Sequence, residues 1–134
     1  MTNVPLDLRY TREHEWARLE DDGRITIGVT DFAQEQLGDV VFLDLPDVDE
    51  QVEGGEPLGE VESTKSVSDI FAPITGAVVE VNTETKDNPA AVNQDPYGEG
   101  WLVVIDPSDP TEFEGLMSPE EYELFLEEEA GESD

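Results

Sequence analysis

The chain has 134 residues, of which six are basic and 35 are acidic, and its formal net charge at pH 7 is −29. Such a surface repels nucleic acid and anionic membranes, so neither is expected as a partner. Because the sequence contains no cysteine, disulfides, thiol catalysis and thiolate metal sites are excluded as well.

Along most of the chain, apolar residues recur with a period of two between short turn sequences, which predicts a mainly β protein. Two of the expected strands flank Asp21-Asp22-Gly23, a hairpin signal. After them, Thr30 or Asp31 can cap a short helix that runs to Leu37 and stops at Gly38. The strands are expected at residues 15–19, 24–29, 40–45, 57–63, 67–71, 77–81 and 101–105.

Helix is expected in at most two further places. One turn lies near residues 89–92, whereas the polar stretch 83–89 around Lys86 is expected to be an ordinary loop. The C-terminal helix starts at Ser118-Pro119-Glu120-Glu121, which supplies a cap, a first-turn proline and a capping-box glutamate. Its apolar stripe consists of Tyr122, Phe125 and Leu126. The pattern predicts a single domain, 1–134, with a core at about 10–126 and an acidic tail at 127–134.

The sequence offers few groups for independent catalysis, so we expect a protein that is not an enzyme. His14 is the only histidine, which excludes a histidine-rich zinc site, and no glycine loop has phosphate-binding spacing. The acidic residues around Asp47 lack the spacing of a calcium loop. With neither a membrane-spanning apolar run nor a signal-peptide layout, a cytoplasmic protein is expected.

Lys65 is the residue whose placement suggests a function. The chain has only two lysines, Lys65 and Lys86, and otherwise uses arginine for positive charge. Lys65 lies between two predicted strands, with small hydroxyl residues on both sides. An exposed amine at a rigid turn suits the enzymatic attachment of a carried acyl group, although most hairpin lysines are ordinary surface charges.

An ordered set of motifs resembles the H protein of the glycine cleavage system. The set runs from about residue 10 to residue 125 and is far more specific than any one of its members. Its segments are His14-Glu15-Trp16, Ile27-Gly28-Val29-Thr30-Asp31-Phe32-Ala33-Gln34, Leu37-Gly38-Asp39-Val40-Val41-Phe42, Leu45-Pro46, Glu62-Ser63-Thr64-Lys65, Ala72-Pro73-Ile74-Thr75-Gly76, Val81-Asn82, Asn93-Gln94-Asp95-Pro96-Tyr97-Gly98-Glu99-Gly100-Trp101 and Glu121-Tyr122.

The resemblance implies a flattened β-barrel/sandwich hybrid of the lipoyl/biotinyl type, with a short helix in the N-terminal half and a C-terminal helix. It also implies that Lys65 carries lipoic acid through an amide bond. The implied partners are a pyridoxal-phosphate-dependent glycine decarboxylase, a folate-dependent aminomethyltransferase, dihydrolipoyl dehydrogenase and a lipoyl-attaching enzyme. The carrier would pass the aminomethyl group of glycine between the first two and be reoxidised by the third.

The resemblance further implies a cleft that shelters the loaded arm, in which Glu15 and Asp69 match acidic positions. Three departures from the family pattern are Thr64 where valine is usual, Ser66 where a small apolar residue is common, and Glu13 where a small polar residue is common.

Other carrier classes and a specialised habitat remain open from the sequence. The alternatives are a lipoyl or biotinyl domain of another multienzyme complex, a lipoyl relay protein and an unmodified scaffold. The acidic composition indicates a halophilic origin, because high salt screens repulsion between carboxylates.

Overall fold

A computed structural model describes residues 4–132 of the protein, with side chains as far as Glu129. Its strands are β1 (Arg9–Tyr10), β2 (Glu15–Leu19), β3 (Ile25–Val29), β4 (Val40–Asp44), β5 (Gln51–Val52), β6 (Pro57–Ser63), β7 (Val67–Phe71), β8 (Gly76–Val81) and β9 (Val103–Pro107). Its helices are α1 (Asp31–Leu37), α2 (Thr83–Asp87), α3 (Ala90–Gln94), α4 (Thr111–Glu114) and α5 (Pro119–Glu132).

The strands form two antiparallel sheets with the main core between them. One sheet has the order β1-β2-β3-β9-β8-β5, and the other has the order β4-β6-β7. Both sheets contribute alternate apolar residues to the core, among them Ile25, Ile27, Leu43, Val61, Ile70, Val78 and Ile105. The predicted mainly β class is confirmed. Within residues 4–132 the sheets do not close into a barrel, so the sandwich is the better description of the predicted hybrid.

A second apolar cluster attaches the C-terminal helix to the larger sheet. Tyr122 of α5 is fully buried and stacks on Tyr10 of β1, with ring centroids 4.5 Å apart. Ser118 and Glu121 exchange hydrogen bonds of 2.9 and 3.2 Å, which confirms the predicted capping box. Helix α5 continues to Glu132, so residues 127–132 are helical and not a separate tail; 133 and 134 lie outside the described residues.

The prediction of at most three helices was wrong, because α2 and α4 are two more. Asn82 caps α2 by accepting a hydrogen bond from the Thr85 amide at 3.1 Å, so Lys86 lies in a helical turn and not in a loop. Asp109 accepts from the Thr111 amide at 3.1 Å just before α4, whose N-cap residue Pro110 makes no side-chain capping bond. Each helix is too short to show an apolar period in the sequence.

One predicted strand is shifted by two residues, and two short strands were not predicted. The last strand begins at Val103, two residues later than expected, because Leu102 makes its hydrogen bonds to Ile27 and Asn82 outside the regular ladder. The two-residue strands β1 and β5 were not predicted, since two residues carry no alternation.

Candidate functional site

Lys65 lies at the tip of the β6–β7 hairpin, where its backbone is fixed and its side chain is exposed. The hydroxyl oxygen of Ser63 accepts hydrogen bonds from the amides of Lys65 at 3.2 Å and Ser66 at 3.1 Å. The Ser63 amide donates in turn to the Ser66 carbonyl at 2.8 Å. Among the side chains that the structure describes, residues 4–129, no carboxylate lies within salt-bridge distance of the Lys65 amine. The site is thus a free amine on a rigid support.

The aliphatic part of Lys65 lies against the end of helix α1. Its Cε is 3.1 Å from the position that a Cβ on Gly38 would occupy, so the end of the lysine side chain would have to shift by a few tenths of an ångström to admit a larger residue. Gly38 adopts φ 78° and ψ −158°, a backbone conformation essentially restricted to glycine. The Thr64 amide also donates to the Asp39 carbonyl at 3.0 Å. The segment after α1 is therefore the platform on which the hairpin tip lies.

Asn93 of α3 holds this platform in place. Its amide nitrogen donates to the Gly38 carbonyl at 2.8 Å and to the Gln34 side chain at 3.1 Å. Its amide oxygen accepts from the Val40 amide at 2.9 Å. One side chain therefore joins helix α1, the Gly38 turn and strand β4. The sequence placed Asn93 in a family motif but gave no indication of this role.

A cleft of about 150 Å³ opens between α1, the segment before β2 and strand β7. Its walls are formed by Glu13, His14, Glu15, Val29, Phe32, Ala33, Gln36, Leu37, Val61, Ser68 and Asp69. The structure thus brings the two predicted cleft residues, Glu15 and Asp69, to one cavity. Lys65 does not line it. The lysine lies instead against Gly38, the residue that follows the wall residue Leu37, at the end of the cleft helix.

Glu15 is a buried carboxyl group with unusual electrostatics. Only 2% of the residue is exposed. Its oxygens accept hydrogen bonds from the Thr11 hydroxyl at 2.6 Å and from the Phe71 amide at 3.1 Å. Desolvation by burial raises the pKa of Glu15 to about 7, although both hydrogen bonds oppose the shift. The carboxyl group is therefore poised to change protonation state near neutral pH.

Asp69 differs from Glu15 because it lies exposed at the rim of the cleft on strand β7. It is paired across the sheet with Glu60 on β6. Glu13, one of the departures from the family pattern, is also exposed and lines the same cleft. The mouth of the cleft therefore carries more than one carboxylate, and a cationic group is the ligand that it suits.

His14 forms part of the cleft wall and was not assigned a role from the sequence. Its backbone has φ 69°, a left-handed conformation that is uncommon outside glycine. Its Nδ1 lies 2.8 Å from the Tyr122 hydroxyl, and its Nε2 lies 3.2 Å from a Glu129 oxygen. Both partners are on α5, more than a hundred residues later in the chain. No local sequence signal could have shown this pairing.

Comparison with known proteins decides the family. A family model described as "Glycine cleavage H-protein" matches residues 8–129, a range that includes Lys65, Glu15, Asp69 and His14. The chain belongs to the glycine cleavage H-protein family. This membership confirms the resemblance that the motif set indicated.

Individual relatives cover nearly the whole H-protein chain. The chain is 57% identical over 125 residues to the glycine cleavage system H protein of Anaeromyxobacter sp. strain K, covering 93% of this chain and 97% of the relative. Identity to the H protein of Halalkalibacterium halodurans is 51% over 129 residues, covering 96% and 100%. A crystal structure of the H protein from Mycobacterium marinum superposes with a TM-score of 0.83 at 46% identity, covering 89% of this chain and 95% of that one.

Neither a metal-binding cluster nor a membrane-spanning helix is present in the described part of this H-protein family member. No group of three or more histidine, aspartate or glutamate side chains within residues 4–129 is arranged to hold a metal ion. No helix in the same range is long and apolar enough to span a membrane.

Proposed function

We propose that the chain is the non-catalytic lipoyl carrier of the glycine cleavage system, with Lys65 as the attachment residue. The supporting observation is an exposed, unpaired lysine on a rigid hairpin, lying against the end of a helix that lines an acidic cleft. Family membership supplies the reaction context. The exposed Lys65 amine is suited to an amide bond with lipoic acid, and no ion pair must be broken to form it.

When attached, the lipoyl group supplies a reducible disulfide, which the cysteine-free chain lacks. The residues of the chain provide positioning. The Ser63 turn and the Gly38 platform fix the base of the arm, while the lysine side chain stays free to move. A tethered group of this kind reaches successive active sites at a high effective concentration.

The partners in this proposal act in sequence on one arm. Pyridoxal-phosphate-dependent glycine decarboxylase provides the aminomethyl group, and folate-dependent aminomethyltransferase takes it. Dihydrolipoyl dehydrogenase reoxidises the arm, and a separate enzyme attaches lipoate to Lys65. We place the protein in the cytoplasm. We propose neither nucleic acid nor a membrane as a partner, because the charge of −29 repels both.

In the same proposal, Glu15 and Asp69 receive the protonated amine of the loaded arm. Glu15 has a pKa of about 7 in the absence of a cation. An approaching ammonium group favours the carboxylate, so binding of the amine is accompanied by loss of the Glu15 proton. Asp69 at the rim adds a second negative charge. A cleft with apolar residues such as Phe32 and Leu37 limits the access of water to the bound amine.

The acidic surface fits a cytoplasm of high salt concentration, which is the habitat that we propose. Arg18 forms an ion pair with Glu20, and Arg24 forms one with Asp22. Because the sequence has six basic residues against 35 acidic ones, basic side chains of the protein cannot neutralise most of its carboxylates, and dissolved cations would have to screen them.

The direct test is the intact mass of the protein purified from its native cells, followed by peptide mapping. The proposal requires one lipoyl group, located on Lys65 and absent from Lys86. Biotin on Lys65, or an unmodified chain from cells that grow by glycine cleavage, would contradict it.

A further inference from the structure

A chain of hydrogen bonds links the C-terminal helix to the helix that lines the cleft. Glu129 of α5 contacts His14 Nε2 at 3.2 Å, and His14 Nδ1 lies 2.8 Å from the Tyr122 hydroxyl. The Tyr122 hydroxyl is also 2.8 Å from the hydroxyl of Thr30. The Thr30 hydroxyl oxygen, which caps α1, accepts from the Ala33 amide at 3.1 Å. Tyr122 and Thr30 are both fully buried.

Counting hydrogens fixes the direction of this chain. Because Thr30 is fully buried and its contacts are the Ala33 amide and Tyr122, its own hydrogen must go to Tyr122. Tyr122 then donates to Nδ1 of His14, which must be unprotonated. The ring proton therefore resides on Nε2 and is donated to Glu129. Every donor is satisfied only when His14 is neutral.

The hydrogen-bond chain contacts two walls of the cleft. His14 directly precedes Glu15, and its carbonyl accepts from the Thr30 amide at 3.0 Å. Its ring also contacts Phe32 of α1, with centroids 4.6 Å apart. His14 is therefore the neighbour of Glu15 in the chain and also contacts the start of the cleft helix.

We propose that neutral His14 is a positioning residue for the cleft, which it holds ready for the loaded arm through Tyr122 and Thr30, and that its protonation releases this hold. This inference rests on the proposed function for its role, but the hydrogen-bond chain can be tested without it. Tyr122 transmits the effect, and Glu129 fixes the tautomer.

Protonation reverses the direction of the chain. The groups that face His14 are Glu129 and Tyr122 of α5, Glu13 of its own segment and the uncharged ring of Phe32 from α1. Burial lowers the pKa of His14 below its ordinary value, although Glu129 and Glu13 oppose this shift. Once protonated, His14 must donate to Tyr122, which then donates to Thr30. The buried Thr30 hydrogen is then left without an acceptor, and the Thr30 oxygen must accept from Tyr122 as well as from the Ala33 amide, which destabilises the junction between α1 and α5.

Two buried tyrosines of the protein allow a matched pair of substitutions. Tyr122→Phe removes the hydroxyl that joins His14 to Thr30. Tyr10→Phe removes another hydroxyl from a fully buried tyrosine in the same stacked pair, but that hydroxyl donates only to the Pro5 carbonyl at 2.6 Å. A general loss of stability would follow either substitution, whereas loss of positioning would follow only Tyr122→Phe.

The first measurement uses unmodified protein and the nitrogen-15 signals of its only histidine. We expect the Nε2-protonated tautomer at pH 7.5. As the pH falls through the His14 titration, we expect the protection factor of the Ala33 amide, which is the exchange rate of an unstructured amide at the same pH divided by its own rate, to fall. Glu129→Gln keeps an acceptor oxygen but removes the charge, so the tautomer should persist and the titration midpoint should move to lower pH. An Nδ1-protonated tautomer, or a midpoint unchanged by Glu129→Gln, would overturn the proposal.

The second measurement is the lifetime of the aminomethylated arm, as the ratio of wild type to each variant at each pH. The ratio removes the pH dependence of adduct breakdown itself. For Tyr122→Phe we expect a ratio of roughly five or more at pH 7.5, declining towards one as His14 protonates. For Tyr10→Phe it should stay close to one. Equal ratios for the two variants would refute positioning. Failure of wild type to load at all would count against the proposed function alone, and the nitrogen-15 and exchange results would still decide this inference.

Discussion

At the scale of single residues, Glu15 gives the cleft its pH dependence. Its pKa rises from 4.5 in the unfolded chain to about 7 in the fold, so the folded state binds this proton more tightly. The resulting stabilisation is complete below pH 4.5 and is lost as the pH rises through 7. The unfolding free energy of Glu15→Gln minus that of wild type should therefore rise by about 3 kcal/mol between pH 4.5 and 7. Urea denaturation measures this difference.

The control for this comparison is Asp69→Asn, which changes an exposed carboxylate at the same cleft. It should leave the pH dependence of wild type in place. If Glu15→Gln showed the same slope as wild type between pH 4.5 and 7, the buried carboxyl group would have no abnormal protonation in the fold.

The two carboxylates should also differ in their effect on the loaded arm. Glu15→Gln removes a buried charged acceptor and should shorten the lifetime of the aminomethylated form about tenfold, without preventing loading. Asp69→Asn should have a smaller effect, because solvent screens the rim. Spontaneous ammonia release from the loaded proteins measures both. Release rates identical to wild type would show that these carboxylates belong only to the general acidic surface.

At the scale of elements, the end of α1 links the cleft to the lysine. Gly38→Ala should destabilise the fold by about 1 to 3 kcal/mol, because φ 78° and ψ −158° are unfavourable for alanine. The added Cβ would also push the end of the Lys65 side chain aside by a few tenths of an ångström. The Tm measured by thermal unfolding and the rate of lipoyl attachment should both decrease. Gly115→Ala is the control, since Gly115 has φ −81° and its added Cβ would make an ordinary contact at 3.4 Å. Equal decreases in Tm and in attachment rate for the two variants would exclude a special role for Gly38.

The elements that could be predicted are those whose signals are local. Thr30 and Gly38 mark both ends of α1, and Ser118 with Glu121 marks the start of α5. The position of Lys65 at a hairpin tip was also accessible, because two alternating runs flank it. Helices α2 and α4 were missed because each is shorter than two turns and is too short to show an apolar period.

Contacts between distant segments could not be predicted from the sequence. Asn93 hydrogen-bonds to residues more than fifty positions away, and His14 bonds to Tyr122 and Glu129 across the whole chain. The pairing of Glu15 and Asp69 came only from the family resemblance. The sequence shows neither the burial nor the raised pKa of Glu15, because one residue in four is acidic and nothing local distinguishes this one.

At the scale of the whole molecule, the charge of −29 should make stability depend on salt. The Debye length falls from about 30 Å at 0.01 M to about 3 Å at 1 M, so added salt removes repulsion between most surface carboxylates. We expect the Tm to rise by roughly 5 to 10 °C between dilute buffer and molar potassium chloride. Circular dichroism measures this. A Tm that stayed constant or fell would contradict the halophilic interpretation and favour a basic partner for the acidic surface.

The same series of salt concentrations should show that α5 unfolds before the sandwich. From residue 112 to residue 134 the sequence contains ten acidic residues and no lysine or arginine. Helical signal should therefore be lost before β signal at low salt.

The central claim is that Lys65 alone carries the group that connects the partner enzymes. The most direct measurement is glycine-dependent reduction of NAD with glycine decarboxylase, aminomethyltransferase and dihydrolipoyl dehydrogenase, after treatment with the lipoyl-attaching enzyme. Lys65→Arg keeps the charge but cannot form the amide, so activity should be abolished while the fold is retained. Lys86→Arg, which changes the other lysine on an exposed helical turn, should match wild type. Sustained NAD reduction by the Lys65→Arg protein would contradict the carrier function.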